Sequence, residues 1–260
     1  MAQPTAKQRQ TLQTLERGLR LLSCFDDRHP ELGITEMAMR MNLSKTIVYR
    51  IVATLEKLGF LTQNPENRKY RLGLKVFELG VVAASQIELR QVALPIMKEL
   101  AAGTNETVNL TVLDAVDRAG ICIETVESSQ PIKLTTRIGN VGPLHRGASR
   151  KILLAYLDSA ERQLYLDPSA IGTTLSPDEM MQLEKELNAI RERGYAVSEG
   201  EVDPDAFAIS APVFDASGSI VAGLTVSGPR FRTDEQRLQQ LTEWTCRSAR
   251  KLSQQLGAPE

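Results

Sequence analysis

Lys45, Thr46, Tyr49 and Arg50 are side chains of the types that bond phosphate oxygens and base edges, and their spacing turns all four outward from the first two turns of one helix. Residues 34–59 read as two helices joined by a tight turn. Ala38 falls where the helices cross most closely, Asn42 can take the left-handed conformation the turn needs, and Leu43, Val48 and Ile51 point inward. Ser44 is placed to cap the second helix. On that helix Ile47, Val48, Ile51, Leu55 and Leu58 follow the i, i+3, i+4 rule of a buried stripe. A helical hairpin in the core of an unrelated α protein would show the same stripe, so the outward residues need a second observation.

Charge distribution supplies it. The 260-residue chain is nearly neutral, with 31 Lys plus Arg against 32 Asp plus Glu, yet residues 1–75 hold 13 basic and 7 acidic side chains and residues 76–260 hold 18 and 25. Counterion release from phosphates rewards clustered cations only where the nucleic-acid backbone is touched, so a basic head on an acidic body fits a DNA-binding protein with a separate non-binding part.

Catalytic chemistry finds little support. Ser149-Arg150-Lys151 lacks the Ser-x-x-Lys spacing, Gly139 and Gly142 make only a turn-like pair, and no glycine-rich phosphate loop is present. Cys122 with His145 is the least implausible nucleophile pair, although a strand cysteine and a loop histidine are more often structural. Cys24, Cys122 and Cys246 are too widely spaced for a disulfide framework or a structural zinc site, and each is expected to be a small buried hydrophobe. Two histidines supply no metal cluster, so neither metal nor cofactor is expected. The start has no apolar signal-like stretch and no run reaches membrane-spanning length, which leads us to expect a cytoplasmic protein without a membrane partner.

The elements that must position these residues follow from periodicity. A first helix is predicted over residues 11–25, with Leu12, Leu15, Leu19 and Leu22 on one face supporting the helix pair from behind. Residues 60–63 and 69–73 flank Asn64-Pro65-Glu66-Asn67 as a hairpin, a wing that carries Arg68 and Lys69 towards phosphates; Arg71 faces either the DNA or the body. Residues 74–89 form an apolar-faced helix (Leu74, Phe77, Leu79, Val81, Val82, Ile87) that leans either on a second copy or on its own chain. Pro95 marks the start of the next helix. Strands are predicted over 107–113, 120–126, 132–138, 195–198, 207–213 and 220–226, and helices over 147–157, 177–193 and 233–256. The pattern is α+β, an antiparallel sheet with helices packed on it. The expected domains are a winged helix-turn-helix over 1–73, a linker helix over 74–90 and a regulatory domain over 91–260.

With these parts in place the sequence resembles the isocitrate lyase regulator (IclR) family of bacterial transcription factors over nearly its whole length. The resemblance rests on Leu19 to Leu22, on the run from Ser44 to Phe60, on Tyr70-Arg71-Leu72-Gly73, and on four stretches further along: residues 143–155, 193–196, 209–215 and 224–229. It implies a winged head, a linker helix, a GAF-like sensor domain, and a dimer or dimer of dimers on near-palindromic operator DNA. It further implies a pocket for a small organic effector, a carboxylate or an aromatic acid, beside the sheet. Carried over by position, its residues are Gly147, Ala148 and Ser149 at a helix start suited to an anion, together with Ser198, Ala208, Thr225 and Ser227. Ser198 stands where members commonly have an acidic residue. Arg150 replaces the usual small residue and either clamps a carboxylate or points to solvent. The competing readings are a ligand-binding or protein-docking module that does not bind DNA and, least favoured, a small-molecule enzyme.

Overall fold

The computed structural model describes residues 12–166 and 175–259, and the chain divides into two compact units, Met1–Gln86 and Ile87–Glu260. In the first, α1 (Gln13–Leu22), α2 (Ile34–Met41) and α3 (Lys45–Lys57) precede the hairpin β1 (Leu61–Gln63) and β2 (Tyr70–Leu72), and α4 (Leu74–Ser85) follows. The turn between α2 and α3 forms as its residues require. Asn42 is left-handed at φ 50, ψ 47, and the Ser44 hydroxyl accepts the Ile47 N–H at 3.4 Å. Leu21, Leu32, Met37, Val48, Val52 and Leu61 close the core.

Two expected stripes are shifted. Val52 is fully buried on α3 and Leu58, at its C-cap, is 58% exposed, because the helix ends before Leu58 can turn inward. On α1 the buried residue is Leu21, while Leu12, Leu15 and Leu19 are exposed: only the last turn of this helix meets the head's core. The helix also stops at Leu22 rather than at 25, since the chain leaves it for the Asp26–His29 bridge; Thr11 lies outside the described residues.

The second unit begins with α5 (Glu88–Thr104). Pro95 is inside this helix rather than at its start, and the break from α4 comes at Gln86–Ile87, so residues 74–90 are not one helix. Six strands follow: β3 (Thr107–Asp114), β4 (Ala119–Val126), β5 (Val141–Pro143), β6 (Ala196–Glu199), β7 (Ala206–Phe214) and β8 (Ile220–Pro229). They form one antiparallel sheet in the order β5-β4-β3-β8-β7-β6. Helices α6 (Ala148–Tyr156), α7 (Ser159–Leu166), α8 (Pro177–Arg193) and α9 (Glu235–Gln255) complete the unit. Residues 132–138, expected as a strand, belong to a loop joining β4 to β5. Its carbonyls are taken by side chains instead of a neighbouring strand: Thr107 donates to Leu134 at 2.6 Å, Thr125 to Thr136 at 2.7 Å and Arg232 to Ile132 at 2.6 Å.

Alternation along the strands gives the sheet two unlike faces. One presents Val108, Leu110, Ile209, Ala211, Leu224 and Val226 in a single apolar core with residues of α5 and α9. The other presents Thr107, Asn109, Thr111, Ser210, Thr225 and Ser227 in the layer where α6 lies against β7 and β8.

Candidate functional site: an outward helix on the head and a polar pocket on the sheet

On the head, Ser44, Lys45, Thr46, Tyr49 and Arg50 are all exposed at the start of α3, with Tyr49 61% exposed. Phenol, guanidinium, ammonium and hydroxyls therefore project from one helix face, whose start is capped by Ser44. The wing is held firmly to the head. Glu31 accepts from Asn64 at 3.0 Å and from Asn67 at 2.7 Å, and Leu32 exchanges two 2.9 Å backbone bonds with Tyr70. These amide donors hold the Glu31 carboxyl below its ordinary range. Arg68 sits at the wing tip with φ 59, exposed, and Arg71 is exposed as well. Lys69 instead reaches back to Glu36 at 3.1 Å, so its charge is partly answered within the head.

The candidate site on the sheet is organised by register. Ser198 on β6 pairs with Ala208 on β7, Ala208 with Ser227 on β8, and Ser227 with Thr107 on β3, so four expected or adjacent site residues form one row. The next row runs Ser210, Thr225, Asn109 and Thr125. Ala208, partly buried in mid-sheet, packs against the apolar cluster that holds Ala148 and Ile152. Thr225 donates to Ser210 at 2.9 Å, while the buried Ser227 hydroxyl has no partner among the described residues.

Helix α6 begins over this row with Gly147 at φ 81. Its first amides are already engaged: Gly147 N–H donates to Glu201 Oε2 at 3.0 Å and Ala148 N–H to Ser198 Oγ at 3.1 Å. Glu201 Oε1 accepts from Lys151 Nζ at 2.8 Å, and Lys151, whose side chain is 7% exposed, also bonds both oxygens of Glu186 at 2.8 Å. A carboxylate at a helix start is where the helix dipole favours one.

Arg150 is not brought to Thr225 and Ser227. Its side chain lies in a trough made by Gly120 and Gly142, cross-strand partners whose Cβ positions it would overlap, and its guanidinium donates to Asn140 Oδ1 at 2.6 Å. Gly120 pairs with Leu113, six residues along β3 from Thr107, which at the strand rise is roughly 20 Å from the Ser227 row. Burial pushes the Arg150 pKa down, and its buried Nε lacks a partner among the described residues. Cys122 and His145 make no catalytic pair. Burial raises the Cys122 thiol, which contacts Glu124 O and Thr125 Oγ1, and His145 Nδ1 faces the Tyr165 hydroxyl at 3.3 Å. Cys122 is buried as expected, but Cys24 and Cys246 are only partly so. Among the described residues no cluster fit to hold a metal ion occurs, and no helix is long and apolar enough to cross a membrane.

Thr107, Asn109, Thr111, Ser210, Glu201 and Lys151 escaped the sequence reading. For the four strand residues the signal was present as polar side chains at every second position, Thr107-Val108-Asn109-Leu110-Thr111 above all, whereas Glu201 and Lys151 gave none.

Comparison with known proteins decides the family. Residues 14–65 match the IclR helix-turn-helix domain, and residues 81–254 match the bacterial transcriptional regulator IclR C-terminal domain. The chain belongs to the IclR family. It is similar to the transcriptional regulator XynR of Escherichia coli, 34% identical over 251 residues covering 95% of this chain and 98% of that protein. It is also 36% identical to E. coli KdgR over 232 residues, 87% of this chain and 86% of that one. An IclR regulator from Brucella abortus superposes with TM-score 0.83 at 24% identity, covering 98% and 96% of the two chains. A homologue from Microbacterium hydrocarbonoxydans solved with 4-hydroxybenzoate gives TM-score 0.74 at 22% identity, covering 94% and 98%. This IclR protein is thus a DNA-binding transcriptional regulator and not an enzyme.

The Lys151 network generates a stability prediction. Replacing Lys151 with Met leaves two carboxylates facing one another without their buried cation, and denaturant unfolding should show a loss of about 3 kcal/mol or more. Lys69→Met, which breaks a bridge whose side chains are both over 40% exposed, should cost less than about 1 kcal/mol. Equal losses would show that Lys151 is not the internal counter-ion.

Proposed function

We propose that this regulator reads operator DNA as a dimer, alone or paired into a tetramer, through Ser44, Lys45, Thr46, Tyr49 and Arg50 of α3, with Arg68 and the partly engaged Lys69 on the wing steadying it on the backbone. The carrying observation is the exposed polar face of α3 on a basic head whose other α3 face is buried. One recognition helix covers too few base pairs for specificity, whereas two set about 34 Å apart read successive major grooves. The surface for pairing is α4. Leu74, Phe77, Leu79, Val81 and Val82 are each at least 50% exposed, and a groove of about 530 Å³ between Leu72, Leu74, Phe77 and Arg71 continues the patch. A contiguous apolar surface of this kind is suited to a second copy of itself.

The effector is a small organic acid bound over the Ser198, Ala208 and Ser227 row, under the start of α6 and beside Thr225. Its carboxylate meets Ser227 and the Gly147 to Ser149 helix start, where it competes with Glu201 for amide donors. Arg150 stands outside this contact and braces β4 and β5. Effector binding changes operator affinity by its differential affinity for two states, typically about 1–3 kcal/mol. Domains are assigned as the winged head over 1–73, a linker over 74–90 broken at 86–87, and the sensor over 91–260. Catabolic genes are the expected targets and the cytoplasm the expected location.

Two measurements test this reading. Arg50→Ala should lose about 1–3 kcal/mol of operator binding if Arg50 reads guanine, or flatten the salt dependence by about one counterion if it touches phosphate; unchanged affinity and slope in a folded variant removes it from the interface. Velocity sedimentation at micromolar concentration should show dimer or larger, and Phe77→Glu should shift it towards monomer; a monomeric wild type contradicts the α4 assignment.

A further inference from the structure

Resting on the reading that effector and operator binding are coupled, we infer that Arg90 and Glu124 are the positioning residues that carry the coupling through the second unit. They fasten the first turn of α5 to the strand that holds the 127–140 loop. Arg90 brings Nε and Nη2 each to 2.9 Å of Glu124 Oε2, and the two side chains are 25% and 9% exposed. Arg90 is the third residue of α5, directly after the break from α4, and Ile87 gives that turn no side-chain cap. The pair therefore grips the chain at the point where it leaves the head for the second unit.

Glu124 follows a bulge in β4. It pairs with Leu110 while Cys122 pairs with Thr111, so Ile123 is an extra residue on this strand, and a bulge re-aims the side chains around it. Leu110 and Ile123 belong to the apolar core beneath α5 and α9, which sets the Glu124 carboxylate, on a residue 7% exposed, beside that core. Two apolar side chains of similar size would hold the helix at least as firmly, because the attraction within a buried ion pair is largely offset by its desolvation. What the ions add is direction. Two guanidinium nitrogens on one carboxylate oxygen fix where the helix turn sits on the strand.

The other end of the connection is the loop after β4. Glu124 Oε1 accepts the Thr125 N–H at 2.9 Å, and the Thr125 hydroxyl, on the opposite face of the sheet, donates to Thr136 O at 2.7 Å. On the far side of the bulge, Cys122 N–H donates to Asn140 O at 3.0 Å and Cys122 O accepts the Gly139 N–H at 2.7 Å. The loop is thus bonded to β4 on both sides of the bulge, and Glu124 joins those bonds to α5. Displacing the loop from Thr125 and Cys122 shifts the bulge, the carboxylate and the α5 turn together. A contiguous run of bonds of this kind carries coupling in either direction.

The test uses DNA as the ligand, since coupling is reciprocal. The probe is a duplex selected from a random library by the full-length protein, and its selection checks DNA binding by itself. In the wild type, saturating duplex should change amide exchange in the first turn of α5 and in the 127–140 loop by about fivefold or more. In the double variant Arg90→Met with Glu124→Leu, the duplex should still bind and unfolding should occur at the same or higher denaturant, yet the response of the loop should disappear. Loss of a merely structural contact would instead raise exchange equally with and without DNA and keep the difference between them. An unchanged response in the double variant, or a wild-type loop indifferent to the duplex, overturns the inference. Should the apolar pair fail to fold, Arg90→Lys decides, because it keeps the charge and gives up the two-nitrogen grip. A reduced loop response in that variant supports the inference, and a full one overturns it.

Discussion

Period-two alternation in one six-stranded antiparallel sheet is the constraint on which the second unit depends. Because successive side chains leave opposite faces, the strands that supply Val108, Leu110, Leu224 and Val226 to the core with α5 and α9 must turn Thr107, Asn109, Thr225 and Ser227 the other way. A one-residue slip of β3 against β8 would send hydroxyls into that core and aliphatics into the pocket. The apolar face anchors the register. The same register then places the polar face, and Thr107 and Thr125 bond it to the loop after β4.

Helix α6 covers this face with an apolar cluster that includes Ala148 and Ile152, and polar bonds fasten its start. Helix α6 is tied at its start by Glu201 and Ser198, and Glu201 is in turn held by the buried Lys151. At the proposed effector site an arriving carboxylate would meet an internal carboxylate in the place the helix dipole prefers, and binding would exchange one anion for another. The free energy of coupling in such a proposal cannot exceed the difference in effector affinity between the two states. Glu186 gives Lys151 a second counter-ion beside Glu201.

The head was largely legible in the sequence because its signals are local. Ser44, Asn42 and the α3 stripe act within a turn or two of themselves, and the hairpin turn announces its own chemistry. Legibility failed where the deciding partner is distant. Leu12, Leu15 and Leu19 look like a core stripe but find no core within the head. Residues 132–138 have a strand's pattern, yet side-chain donors from Thr107, Thr125 and Arg232 claim their carbonyls. Arg150 follows Gly147 to Ser149 in sequence, and the glycine pair 120 and 142 that takes its side chain becomes visible only when β4 meets β5. Glu201 was invisible for the same reason, since its partners Gly147 and Lys151 are about fifty residues earlier.

The central claim, that the polar sheet face beneath α6 is where effector chemistry occurs, is tested most directly by hydrogen exchange of the intact protein with and without an acid that shifts operator affinity. Ligand-dependent protection should concentrate in the peptides carrying the α6 start, the 127–140 loop, the 199–205 loop and the β8 segment around Ser227, with the amides of α9 on the apolar face unchanged. Protection confined to α5 and α9, with the α6 start and both loops exchanging as before, would place the effector on the other side of the sheet and contradict the account.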